Sequence, residues 1–363
     1  MVASTVSETI TIHSHKGKYS VNFLNSSFDE FNSHFNPSNL YIVDQKVATL
    51  YSKKLSNILS SKRVLVIEAT EENKSLDKFT QYIDFLIKAK VRRGENLVAI
   101  GGGIIQDITC FLASTLMRGL PWIFYPTTLL AQSDSCIGSK SSINSGDLKN
   151  ILGTFNPPNK VLIDINFLSS LDEKDILSGV GEMLKVHAIN SPNSFDKISS
   201  NYQKIKNDKD MLESFIYQSL LMKKTLIEID EFDTGPRNVM NYGHSFGHAI
   251  ESATNYKIPH GIAVTMGMDI ANYVASELGV SKRKHFKRMH AVLFENSSLY
   301  HHVKIDIDLL MSALAKDKKN SSTKLKLILP DADGNISIGL YDNNENLRNI
   351  IADYFSEFRR GLN

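Results

Sequence analysis

Short apolar runs bounded by turn residues alternate with helical periods through the first half of the chain. Tyr19–Leu24, Leu40–Val43, Val64–Ile67, Leu97–Ile100, Trp122–Tyr125 and Val161–Ile163 have the length and composition of buried strands. Leu76–Ala89 repeats its apolar positions with helical spacing through Phe79, Ile83, Phe85 and Leu86, and Ile104–Met117 reads as a second helix. Strands and helices in alternation predict a mainly parallel sheet flanked by helices. After Leu171 the rhythm changes. Asp175–Ala188, Asp210–Ile229, Asn238–Thr254, Val264–Glu277 and Lys282–Phe294 are helical, and only Leu325–Leu329 with Ile336–Leu340 suggests a hairpin. The pattern divides the chain into an α/β part, residues 1–171, and a mainly α-helical part, residues 172–363.

The chain has 363 residues, 42% hydrophobic and 22% charged, enough for one large core or two medium ones. Forty-one Lys+Arg against 39 Asp+Glu give a net charge of +2, which argues against nucleic acid or an anionic membrane as a partner. Cys110 and Cys136 cannot build a disulfide framework and do not form a CxxC pair, as expected for a reducing compartment such as the cytoplasm. Met1–Phe23 lacks an apolar signal region. The longest uncharged stretch, Gly119–Ser133, is 15 residues with two prolines, too short to span a bilayer.

Chemistry concentrates in three places. Gly101-Gly102-Gly103 lies between a strand and a helix, where missing Cβ atoms and a helix N-terminus suit a phosphate or dinucleotide. A tight turn with no ligand is the plainer alternative, and Asp44 at an earlier strand end fits a ribose contact or a helix cap. The stretch Arg237–Glu251 puts His244 and His248 on one helical face, with Asn241 a turn before and Glu251 near by. His260 follows at a helix start. Such a set suits a zinc-type metal, and by spacing alone His244, His248 and Glu251 are as defensible a triad as any. Glu182 and Lys185 sit three apart on an apolar helix. Alone they read as a surface pair, as Lys223 and Lys224 read as a solvated face and Asp134–Asn150 as a polar loop.

Taken in order, these segments resemble the 3-dehydroquinate synthases and, more broadly, the sugar phosphate cyclase superfamily. The resemblance runs from about Leu40 to Pro330. It is carried by Gly101–Asp107, by Tyr125-Pro126-Thr127-Thr128 through Ser135, by Gly181-Glu182-Met183-Leu184-Lys185, by Asn241–His248, and by His260-Gly261. It implies a Rossmann-like NAD-binding α/β domain followed by a mainly α-helical metal-binding domain, with the active site in the cleft between them. Glu182, His244 and His260 match the metal ligands, for Zn2+ or Co2+, and supersede the spacing triad, leaving Glu251 structural. His248 matches a phosphate contact. Asp134, Lys140, Asn150, Lys185, Lys223, Asp233, Arg237 and Asn241 match substrate positions. Arg118 matches an arginine reaching the neighbouring subunit of a homodimer, and Lys318 a further phosphate contact. Asp44, Glu71, Lys74, Gly102, Gly103, Asp107, Thr127, Thr128 and Lys149 match the dinucleotide side.

The activity implied is cyclisation of 3-deoxy-arabino-heptulosonate 7-phosphate to 3-dehydroquinate. A ring hydroxyl is oxidised by NAD, phosphate is eliminated with itself as base, the ketone is reduced again, and the opened ring closes by an aldol step. Arg237 suits the substrate carboxylate. Five positions depart from the family: Gln106 and Leu148 for Gly, Ser139 for Gly, Asp233 for Glu and Ile262 for Glu. They leave room for an amino analogue or sedoheptulose 7-phosphate as substrate. A metal-dependent polyol dehydrogenase would consume NAD and would not need the basic set Lys140, Asn150 and Arg118. A ligand-binding paralogue would not need all three metal ligands.

Overall fold

Each apolar run of the first half forms a strand, and the order of the strands decides where a ligand can approach. The computed structural model describes residues 9–24, 35–146, 148–316 and 323–358. The chain divides into two units, Met1–Leu171 with Ile216–Asp233, and Asp172–Phe215 with Thr234–Asn363. The helix Lys209–Ile229 therefore changes unit at Ile216. A division at 171/172 leaves that whole helix in the second part.

Among the described residues of the first unit, β1 (Ile10–Ser14), β2 (Gly17–Phe23), β3 (Leu40–Asp44), β4 (Val64–Ile67), β5 (Leu97–Gly101), β6 (Trp122–Pro126) and β9 (Lys160–Ile163) form one sheet. The order is β1-β2-β9-β6-β5-β3-β4, parallel throughout except for the β1–β2 edge hairpin. Leu40–Val43 and Leu97–Gly101 are buried on both faces, which is why they read as unbroken apolar runs rather than alternations. β4 lies on one side of β3 and β5 on the other, so the connections part at this pair. Ligands of open α/β sheets bind beyond the carboxyl ends of strands at such a point. Here Asp44 ends β3 and Gly101 ends β5.

The polar stretch after Asp134 is more ordered than its composition suggests. β7 (Lys140–Ser145) and β8 (Leu148–Phe155) pair as a separate antiparallel hairpin with an irregularity between Ile143 and Ser145. In β7 Ser and Asn surround a single apolar residue, Ile143, and in β8 Lys149, Asn150 and Gly153 break up the apolar positions, so the usual strand signal is weak and the sequence reads as a loop.

In the second unit the helix Glu173–Asn190 crosses the helix His260–Glu277, which is buried from Gly261 to Ala275. The crossing is closed by two glycines. A Cβ on Gly261 would lie 1.9 Å from the Ser178 carbonyl oxygen, and one on Gly181 2.3 Å from the Gly261 carbonyl oxygen. Backbone meets backbone there, and no side chain fits. The next residue on one helix is Glu182, and the preceding one on the other is His260. β10 (Lys324–Pro330) and β11 (Ile336–Asp342) form the expected hairpin.

On the helix Glu173–Asn190, the buried His187 hydrogen-bonds the Ser194 hydroxyl through Nδ1 at 2.8 Å. Burial pushes its pKa down to about 4. Because the folded value lies below the unfolded one, His187 supports stability above pH 6.5 and withdraws that support as pH falls toward 4. Between pH 6.5 and 5 the loss is about 2 kcal/mol at about 1.4 kcal/mol per unit. In metal-free protein, urea unfolding of His187→Gln should show a pH dependence flatter by about that amount. Parallel profiles would refute a buried neutral ring.

Candidate active site

In the first unit, Gly102 caps the helix Gly103–Thr115 with extended backbone, and Gly103 opens it. A Cβ on Gly102 would press on Thr128 at 2.9 Å, whereas Gly103 has nothing within 4 Å, so open space adjoins the helix N-terminus. The buried Thr127 donates its amide to the Gly101 carbonyl at 2.9 Å, joining the second motif to the loop. Asp44 is a helix cap: its carboxylate accepts the Lys46 amide at 2.8 Å.

Beside this loop Lys74, 4% exposed, gathers Glu71 at 3.3 Å, Asp107 at 3.3 Å and the Asn150 side-chain oxygen at 2.9 Å. Burial pushes the Asp107 carboxyl up to about 6, against the pull of Lys74 and of the Ser142 amide. Asn150 has a left-handed backbone (φ 53°), held by its amide donating to Asn144 at 2.9 Å. Asn144 in turn donates to the Glu71 carboxylate at 2.8 Å. Lys149 is exposed on β8.

Asp134 and Lys223 meet as a buried pair: the carboxylate is 2.6 Å from the ammonium, which also donates to the Asp134 carbonyl at 2.7 Å. Lys223 is thus no solvated face, while its neighbour Lys224 is part-exposed, 3.9 Å from Glu228. Lys140 pairs with Asp233, the shorter acid of the departures. Arg118 is exposed within three successive positive φ angles, Met117, Arg118 and Gly119 at 53°, 67° and 126°. Lys318 lies outside the described residues.

In the second unit the Glu182–Lys185 pair is buried rather than on the surface. The two side chains are 2% and 3% exposed and 2.5 Å apart. Burying two charges is costly unless each is well met, so such a pair marks a site more often than a stabilising contact. Glu182 lies 3.4 Å from His260 Nε2 and 4.0 Å from His244 Nε2. Apart from the Lys185 ammonium, no hydrogen-bond donor meets its oxygens among the described residues. The ligand nitrogens of His244, His248 and His260 lie within 4.8 Å of one another. A tetrahedral ion with bonds of about 2.0–2.2 Å has ligand atoms roughly 3.4 Å apart, so acid and imidazoles fit a shared divalent cation.

The rings are aimed from behind. His260 Nδ1 is 3.2 Å from both oxygens of Glu251, which can only accept, so in the neutral ring Nδ1 carries the proton and Nε2 faces Glu182. His244 Nδ1 faces the Tyr242 carbonyl at 3.3 Å, with the same consequence. Burial pushes the His244 pKa well down, helped by Lys185 and the other two histidines. At His260 burial also pulls downward, but the Glu251 hydrogen bond and the Glu182 and Glu251 charges outweigh it and raise the pKa. Arg237, 6% exposed, and Asn241 belong to a 3-10 turn, Pro236–Asn241, separated from the helix His244–Ala253 by the left-handed Gly243. Asn241 therefore does not continue the histidine helix as the periodicity predicts.

Spacing placed Glu251 among ligands, and only the structure shows it behind His260. Asn144 and the Gln106–Ser135 contact had no sequence signal, since each joins segments far apart. Ile262 is fully buried and Leu148 is 61% exposed, so these two departures sit in apolar packing and on an open edge respectively.

A dinucleotide-type parallel sheet joined in one chain to a helical unit carrying a carboxylate–histidine cluster defines a class of nucleotide- and metal-using enzymes. Two solved members share the fold. A 2-deoxy-scyllo-inosose synthase complexed with carbaglucose-6-phosphate, NAD+ and Co2+ superposes with a TM-score of 0.82 at 24% identity, over 95% of this chain and 100% of that one. The 2-epi-5-epi-valiolone synthase of Streptomyces hygroscopicus subsp. jinggangensis 5008, with NAD+ and Zn2+ bound, gives 0.80 at 24% identity over 99% of both. Residues 64–178 match the N-terminal and 179–320 the C-terminal family model of 3-dehydroquinate synthase. The 3-dehydroquinate synthase of Helicobacter pylori (strain P12) is 34% identical over 318 residues, 87% of this chain and 91% of that one. The chain belongs to the 3-dehydroquinate synthase family.

Proposed function

We propose that the protein converts 3-deoxy-arabino-heptulosonate 7-phosphate to 3-dehydroquinate and inorganic phosphate, using NAD and a divalent cation, Zn2+ or Co2+, as a cytoplasmic homodimer. The observation that carries the reading is Glu182, buried against the Lys185 ammonium and facing two imidazole Nε2 atoms. No helix of the described residues is long and apolar enough to cross a membrane, in keeping with a small-molecule enzyme.

Glu182, His244 and His260 would hold the metal. Gly102 and Gly103 with the helix N-terminus, Asp44, Glu71, Lys74, Asp107, Thr127, Thr128 and Lys149 would hold NAD. When bound, the dinucleotide would take up and return one hydride at a ring carbinol whose oxygen the metal polarises. The chain's own residues bind and orient. Lys140, Asn150 and His248, with Lys318 and a partner's equivalent of Arg118, would meet the phosphate dianion. Arg237 and Lys223 would take the carboxylate, Arg237 bidentately. Asp134, tied to Lys223 at two atoms, fixes that ammonium, and Asp233 does the same for Lys140. Lys185, Asn241 and Asp134 then remain to hold ring hydroxyls.

The test is phosphate release from the seven-carbon substrate with sub-stoichiometric NAD. Release without net NADH is expected. Steady NADH from a polyol without phosphate release would replace the reading with a dehydrogenase, and preference for sedoheptulose 7-phosphate would move the substrate. Glu251→Gln should weaken metal binding about 10–100-fold, the usual cost of losing a partner behind a ligating histidine, with Glu251→Asp recovering part of it. Chelator competition with Zn2+ measures this, and wild-type affinity in the Gln variant would refute the role.

A further inference from the structure

Gln106 stands in the first turn of the helix Gly103–Thr115, and it is buried at 6% exposure. Its amide makes a reciprocal pair with Ser135. Nε2 donates to the Ser135 carbonyl at 2.6 Å, and Oε1 accepts the Ser135 hydroxyl at 2.7 Å. Ser135 ends a π-helical turn, Ala131–Ser135, a geometry that persists only where surroundings hold it and that recurs at functional sites. Gln132 pins the other side of the turn, its Nε2 donating to the Pro126 carbonyl at 3.0 Å and the Asp164 carbonyl at 2.9 Å.

Asp134 lies between the two anchors. It meets one ammonium with both its carboxylate and its carbonyl, at 2.6 Å and 2.7 Å from Lys223 Nζ. That double contact requires the backbone and the side chain of Asp134 to be presented together, and a slip of the turn would break one of them. We propose that Gln106 is a positioning residue: it locks the Ala131–Ser135 turn so that Asp134 holds Lys223 in a single orientation, tying the glycine loop to a substrate-facing cation. A glycine at this position has no side chain with which to do so. The inference rests on the proposed function for the substrate-facing role of Lys223, but the clamp itself is a property of the first unit.

The test uses full-length protein and Gln106→Met, which keeps the volume and removes both hydrogen bonds. Lys223 reactivity is followed by reductive methylation and peptide mass spectrometry. Methylation should quicken about tenfold, the equivalent of about 1.4 kcal/mol of lost ordering. NAD affinity should stay within about twofold, kcat/KM should fall about tenfold, and Ser135→Ala added to Gln106→Met should cost nothing further, as members of one contact are not additive. Ser135→Ala alone, which leaves the bond to the backbone carbonyl, should act in the same direction more weakly and serves if Gln106→Met fails to fold. Unchanged Lys223 methylation in both folded variants would overturn the clamp. Faster methylation in the variants, with no phosphate released even by the wild-type protein, would uphold the clamp and sink the proposed function.

Discussion

Glu182→Gln is expected to empty the metal site and abolish turnover. The substitution is nearly isosteric, so the crossing at Gly181 and Gly261 should survive, and the change is one of charge and donor type. A carboxylate 3.4 Å from His260 Nε2 and 4.0 Å from His244 Nε2 becomes an amide whose NH2 group repels a cation. Lys185, 3% exposed, also loses its counter-charge. Removing one partner of a buried pair costs about 3–5 kcal/mol, so stability should fall as well. The loss of metal affinity should exceed the roughly 10–100-fold that follows removal of an outer partner, which ranks Glu182→Gln below Glu251→Gln. Metal content after dialysis and the Co2+ absorption spectrum check this. Binding of NAD, proposed for the first unit, should persist. Full occupancy by metal would remove Glu182 from the ligand set and leave His244, His248 and His260 as the alternative trio.

Arg237→Ala should lower kcat/KM for the carboxylated substrate about 10²–10³-fold, since a charged bidentate contact in a buried place is worth roughly 3–4 kcal/mol. Inhibition by inorganic phosphate should hardly change if, as proposed, other cations meet the phosphate. Arg237→Lys should recover only part of the loss, as an ammonium cannot present the planar fork. Steady-state kinetics with phosphate as inhibitor separate the two halves of the substrate. Unaltered turnover in Arg237→Ala would mean that the carboxylate is held elsewhere, and would bring sedoheptulose 7-phosphate forward as substrate.

How much could be read beforehand depended on whether a feature was local. The parallel sheet followed from apolar runs that are buried on both faces, as Leu40–Val43 and Leu97–Gly101 are. The hairpin Lys140–Phe155 has a weak signal because β7 carries Ser and Asn around Ile143 alone, and Lys149, Asn150 and Gly153 interrupt β8. At the candidate site, Glu182 and Lys185 read alone as a surface pair, since three residues of spacing are the same whether that face of the helix is wet or dry. The glycines beside them are the clue that was available: Gly181 and Gly261 leave room for two backbones to touch.

The sequence by itself determined the parallel α/β pattern, the glycine turn between β5 and its helix, the helical second half and the order of the motifs. The elements among these are written in short apolar runs, in periods of 3.6 residues or in a turn, each within a single element, and the motif order is the chain's own. Only the tertiary structure decided which groups meet. Lys223 reaches Asp134 across 89 residues, and His260 comes to Glu182 because two helices cross at bare backbone. It also gave Glu251, which spacing offers as a ligand and the resemblance leaves structural, its place behind His260, with its carboxylate on Nδ1 rather than Nε2. Spacing along a chain limits what one helix face can present. What that face confronts is set by the helix packed against it, and no period within either helix records that.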